Sequence, residues 1–202
     1  MELIEHSGGW NRAVRLAGGL QDHGISAAVK RYYLTVFPLV VIVSVIVVWI
    51  VGVVISGRAD WLFFGIGVML SGLAVMISGF VYSSKKVSPL VTPDEPSIHY
   101  LVSKGESKRG RRQIHGSVPA DGDERIVARG LAIQMRQGHA LQLLIAPGFI
   151  LAFLPQVFRA SDALGLLYGL VIALYAAAFV LLAREFHRTT IFLKSTEPDE
   201  PA

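Results

Sequence analysis

Between Tyr33 and Ser56 the chain carries no charged residue. As a helix rising about 1.5 Å per residue, this stretch reaches roughly 34 Å, enough to cross a hydrocarbon core of about 30 Å. Its many Val and Ile residues would suit a strand in water. In lipid, a lone strand leaves its backbone N–H and C=O groups unsatisfied, and the period-2 alternation of a barrel strand is missing. The helix therefore wins.

Three further apolar blocks follow. The turn Gly57-Arg58-Ala59-Asp60 and the interfacial Trp61 lead into a second span, Leu62 to Tyr82. Leu141 to Phe158 is a third, interrupted by Pro147 and Pro155, which neighbouring helices can accommodate by covering the freed backbone groups. The turn Arg159-Ala160-Ser161-Asp162 precedes a fourth, Ala163 to Ala183. The chain is 52% hydrophobic and 17% charged, and this concentration into blocks sets it apart from an ordinary soluble domain. The fold expected is an all-α integral membrane protein of four transmembrane helices arranged as two hairpins, 33–82 and 141–183.

The polar segments lie around these hairpins. Residues 1–32 form an N-terminal arm lacking the apolar core of a cleavable signal, so the first block is expected to stay as a span. Gly8-Gly9 and Gly18-Gly19 act as breakers. Trp10, Val14 and Ala17 share one helical face, as do Ile25, Ala28, Val29 and Tyr32, which suggests two short interfacial helices. Residues 83–140 form the long polar segment. Its basic run from Lys104 to Arg112 reads as a flexible loop, flanked by 97–102 and 113–118 as a candidate small hairpin. Asp123 suits the N-cap of a helix beginning at Glu124. Residues 184–202 make a C-terminal tail.

Basic residues fix the expected orientation. The two short turns carry Arg58 and Arg159, and every other Lys or Arg lies in the arm, the long polar segment or the tail. The positive-inside rule puts both termini and residues 83–140 in the cytoplasm of a multi-pass plasma-membrane protein.

The hairpins also resemble each other. Counted from the turn aspartates Asp60 and Asp162, Gly67 matches Gly169, Ser71 matches Ala173 and Lys86 matches Arg188. Each half ends in the same tetrapeptide, Pro93-Asp94-Glu95-Pro96 and Pro198-Asp199-Glu200-Pro201. An internal duplication of a two-span unit would give like-oriented hairpins about an axis along the membrane normal.

Small residues mark candidate packing faces. Gly165, Gly169, Ala173 and Ala177 form an i, i+4 ladder on the fourth span, and Gly67, Ser71 and Gly79 form a looser one on the second. Such ladders let helix backbones approach closely. They serve either as an oligomer face or as a seam between spans two and four, and the duplication favours the seam. The basic run Lys104, Lys108, Arg109, Arg111 and Arg112 offers contact with anionic lipid headgroups, or serves as a solvated topology determinant. Without interleaved aromatics for base stacking, nucleic acid is not an expected partner.

Chemistry is sparse. The spans contain no Asp, Glu, Lys, Arg or His, which counts against a proton-coupled transporter. With no cysteine, thiolate metal sites and Cys nucleophiles are excluded. The six histidines lack ligand spacing, and no P-loop, dinucleotide fingerprint or nucleophile-elbow motif is present, so no catalytic, cofactor or metal residue is nominated. The leading expectation is a non-enzymatic subunit or accessory protein of a membrane complex, partnered by the bilayer and by another membrane protein or a second copy. A small transport or permeation protein is the alternative. A lipid-modifying enzyme at the inner leaflet comes third, requiring a polar cluster of His139, Glu185 and His187.

Overall fold

In the computed structural model, residues 2–92, 98–116, 118–119, 122–159 and 162–196 are described. The α-helices are α1 (Glu2–Gly19), α2 (Ile25–Arg31), α3 (Phe37–Ser56), α4 (Trp61–Tyr82), α5 (Lys104–Ile114), α6 (Gly122–Arg159) and α7 (Asp162–Ser195). Two-residue strands β1 (Gln21–Asp22) and β2 (Val91–Thr92) pair antiparallel. Among the described residues, four helical runs are long and apolar enough to cross a membrane: Ile25–Ser56, Trp61–Leu90, Gly122–Arg159 and Ala163–Ser195. All four expected spans are therefore helices, each lying within a longer helical run.

Local chemistry explains the boundaries. Between α2 and α3 the backbone widens into a π-turn, Tyr32–Val36, where the Phe37 N–H donates to the Tyr32 carbonyl. Pro38 follows at once, and the wider turn makes room for its ring against the preceding carbonyls. Gly57 closes α3 at φ 68°, a left-handed conformation that a residue without Cβ adopts freely, and its N–H bonds Val53 O at 2.9 Å. The Asp60 carboxylate then caps α4 by accepting from Leu62 N at 2.8 Å.

The chain divides into two compact units. One comprises Ser26–Val87 and Ala140–Ala183, the other Met1–Ile25, Ser88–His139 and Arg184–Ala202. The first holds the apolar stretches of all four spans. In it α3 and α4 form an antiparallel hairpin, and α4 also crosses the 140–159 part of α6. Pro147 lies inside α6 and cannot donate to the Leu143 carbonyl four residues earlier. Tyr33 supplies the missing donor, its hydroxyl bonding Leu143 O at 2.6 Å. A backbone acceptor freed inside the apolar layer is thus satisfied by a neighbouring helix.

The second unit has its own core of Ala13, Ala17, Leu20, Ile98, Ile114, Val127, Leu131, Ala132 and Leu193. Three sequence expectations change here. Helix α1 runs straight through Gly8-Gly9, and its apolar face is turned into this core, with Gly130 packed on Ala17. Lys104–Ile114 is a helix rather than a flexible loop. Ser103 and Glu106 form a reciprocal capping box at its start, and Ser107, Gly110, Gln113 and Ile114 bury one face. That helix, preceded by a short 3-10 turn at Ile98–Tyr100, replaces the expected 97–118 hairpin. The helix expected from Glu124 forms, but it continues into the third span as a single element, and α7 likewise extends beyond Ala183 to Ser195.

Candidate functional site

Along α4, glycines recur every seven residues, at 65, 72 and 79, so they drift only about 20° per repeat around the helix. Each faces the third span. A Cβ on Gly72 would lie 2.5 Å from both Ala152 N and Gly148 O, and one on Gly148 would lie 2.6 Å from Gly72 O. A Cβ on Gly79 would meet Leu144 O at 2.7 Å, and one on Gly65 would meet the Arg159 guanidinium at 2.8 Å. The two backbones are in direct contact, the geometry that small residues permit in lipid. Gly67 faces the other way, toward Val45 and Val48 of α3, and Ser71 is fully buried with its hydroxyl on Val68 O. The second span thus packs on the first and third. Gly72 and Gly148 were missed in the sequence, although the seven-residue glycine spacing on α4 was there to be read.

The fourth span is arranged differently. Tyr175 stacks on Phe149 at 5.0 Å, Tyr168 lies 6.1 Å from Phe153, and Phe179 meets Tyr33 edge-on at 6.5 Å. Those aromatic residues mark the face of α7 that meets the rest of its unit. At about 100° per residue, the ladder Gly165, Gly169, Ala173, Ala177 centres roughly 120° away from them. Ala173 and Ala177 are exposed, and a Cβ on Gly169 would meet no atom within 4 Å. At Gly169, Ala173 and Ala177 the expected seam between spans two and four is not formed by any described residue. Aromatic stacking joins the fourth span to the third, and among the described residues the ladder is open at Gly169, Ala173 and Ala177.

The polar groups of the apolar unit are mostly spoken for. Ser78 bonds Val75 O at 3.1 Å and Tyr32 at 3.1 Å, while the Tyr82 hydroxyl bonds Ala28 O at 3.1 Å.

In the second unit, the basic run is placed on α5. Lys108, Arg109, Arg111 and Arg112 are exposed, and the Lys104 side chain lies outside the described residues. Arg109 pairs with Glu124 at 3.3 Å, and Gln113 donates to the same carboxylate at 2.9 Å. Both residues line a groove of about 720 Å³ with Trp10, Glu106 and Asp123. Nearby, the nearly buried side chains of Arg136 and Asp22 form an ion pair, with the Phe186 ring 5.1 Å from the guanidinium carbon. Asp22 also accepts from Gly24 N and Ile25 N, each at 2.9 Å, which fixes the start of α2. Burial pulls the Arg136 pKa down, and the charge of Asp22 opposes that shift.

Of the triad His139, Glu185 and His187, two members come into electrostatic range. The His139 ring lies ahead of the third span, and its buried Nδ1 has no hydrogen-bond partner among the described residues. Burial lowers its pKa, with Glu185 opposing and Arg111 reinforcing the shift. Glu185 is held by Arg188 at 3.0 Å and by His115 at 3.7 Å, whereas His187 is exposed. His115 therefore takes the place that the sequence reading gave to His187. Among the described residues, no group of three His, Asp or Glu side chains is positioned to hold a metal ion. The repeated tetrapeptides at 93–96 and 198–201 lie outside the described residues. Compared with protein-family models, curated proteins and solved structures, the chain has no match in any of the three.

Proposed function

We propose that this multi-pass membrane protein is a non-enzymatic subunit that receives a partner transmembrane helix on α7. One observation carries the reading: among the described residues the ladder stands open at Gly169, Ala173 and Ala177, whereas Gly67, Gly72 and Gly79 of α4 are met by neighbouring backbones. A small-residue face turned to lipid offers shallow packing, whereas against a second helix it allows close backbone approach. The partner is a second copy of the chain or a different membrane protein. Residence in the plasma membrane with both termini inside belongs to the same proposal and is supported by the concentration of Lys and Arg outside the two short turns.

Size-exclusion and native mass measurements in a mild detergent test this. The expected result is an assembly larger than one chain, which Gly169→Leu with Ala173→Leu dissociates while the thermal stability of the single chain is kept. A lone monomer in mild detergent, or an assembly indifferent to the two leucines, would overturn it.

A further inference from the structure

In the first unit, acidic residues stand only at the turn end, where Arg58 and Arg159 match them in number, and the other end is basic alone. The acidic residues are Asp60 and Asp162, both beside the short turns. At the opposite ends of its first two spans stand Lys30 and Arg31, closing α2, and Lys85 and Lys86, in the π-turn Ser83–Val87 that follows α4. All four are exposed, and none forms an ion pair with a described residue. The two segments are fixed side by side. The Tyr82 hydroxyl bonds Ala28 O at 3.1 Å, the rings of Tyr32 and Tyr82 lie 5.2 Å apart, and the Tyr32 hydroxyl bonds Val75 O at 3.2 Å. Four uncompensated cations are thus held at the edge of two apolar helices by the buried Tyr32 and the half-buried Tyr82.

The apolar neighbours of these cations match a lipid. Leu34 follows Lys30 by four residues and is 67% exposed, and Val81 precedes Lys85 by four and is 44% exposed. Residues separated by three or four positions share a helix face. On both helices, therefore, a cation and an open hydrophobic side chain are stacked along the axis. A diacyl lipid with an anionic headgroup presents the complementary order, phosphate above and hydrocarbon below. Each basic residue near an anionic membrane surface contributes attraction of about 1 kcal/mol. We propose that Lys30, Arg31, Lys85 and Lys86 form a binding collar for an anionic phospholipid. Its phosphate lies among the four cations, and its chains lie along Leu34 and Val81. This site differs from the basic run on α5, where Arg109 is already engaged by Glu124.

The probe is dioleoyl phosphatidylglycerol, compared with dioleoyl phosphatidylcholine, added to the full chain purified in mild detergent. Thermal melting and native mass spectrometry give the readout. The wild-type protein is expected to gain several degrees with phosphatidylglycerol over phosphatidylcholine and to retain the anionic lipid as an adduct. Lys30→Gln, Arg31→Gln, Lys85→Gln and Lys86→Gln together should abolish both effects. Lys108→Gln, Arg111→Gln and Arg112→Gln should leave them intact. If the fourfold variant does not fold, Lys85→Gln with Lys86→Gln is expected to weaken retention severalfold. Equal stabilisation by the two lipids, loss of binding in the α5 variant instead, or the same gain from glycerol 1-phosphate alone would each overturn the proposal.

Discussion

Tyr33 shows how much can rest on a single side chain. Its hydroxyl serves an acceptor that exists because Pro147 cannot donate to Leu143. Tyr33→Phe would leave that carbonyl unpaired in an apolar setting, at a cost of about 1–3 kcal/mol. In a Pro147→Ala background the helix supplies its own donor, so Tyr33→Phe should cost distinctly less. Unfolding of the four variants in detergent forms a double-mutant cycle that measures the difference. In the polar unit, Asp22→Asn removes one partner charge of the nearly buried Arg136 and should cost about 1–3 kcal/mol. Denaturant unfolding, followed by the fluorescence of Trp10 in the same unit, would record the loss. His139 adds a pH dependence. Its folded pKa lies below the ordinary value of 6.5, so the folded chain resists protonation more than the unfolded chain does. Its contribution is full above about pH 6.5 and is lost as pH falls through the lower, folded value. Melting temperatures across acidic pH should fall less steeply for His139→Gln than for the wild type.

Elements differ in which glycines matter. At the crossing of α4 and α6, Gly72→Ala places a methyl within 2.5 Å of opposing backbone, and the helices must separate. A loss of about 1–3 kcal/mol or more is expected. Gly138, also in α6, has nothing within 4 Å of its missing Cβ, so Gly138→Ala should stabilise the helix by about 0.5–1 kcal/mol. Thermal melts of both variants against the wild type test the contrast in sign. Of the ladder read on the second span, the structure turns Gly79 to the third span and Gly67 to the first, a division that the spacing does not reveal. Small residues at a regular spacing reveal that something approaches closely. They do not say which helix, because third and fourth spans offer equally apolar surfaces. For α5 the difficulty was different. Lys104 to Arg112 has a composition typical of solvated loops, and its burial depends on Gly110, Gln113 and Ile114 meeting residues distant in sequence.

At the level of the whole molecule, the lack of cysteine permits a direct test of orientation. Single cysteines at Ala59 and at Lys108 provide it in a clean background. A membrane-impermeant thiol reagent on intact cells should label Ala59→Cys, and should label Lys108→Cys only after permeabilisation. The reverse pattern would invert the proposed topology. The likeness of the two hairpins remains a pattern of the sequence. In the structure, α3 and α4 meet through Gly52 against Phe63 and Gly67 against Val45, whereas the third and fourth spans meet through stacked aromatic rings.

The sequence by itself determined the four spans and the turn from Gly57 to Asp60, whereas residues 160–161 of the second turn lie outside the described residues. Hydrocarbon admits few backbone solutions, and an uncharged stretch of sufficient length selects the helix without reference to its neighbours. Tertiary structure decided which helix faces are filled and which stay open. It also decided that the arm, the middle segment and the tail share a core, and that Tyr33 completes the third span. Those outcomes depend on contacts between residues far apart in the chain, where only the packed geometry brings a donor to its acceptor or a backbone to its glycine.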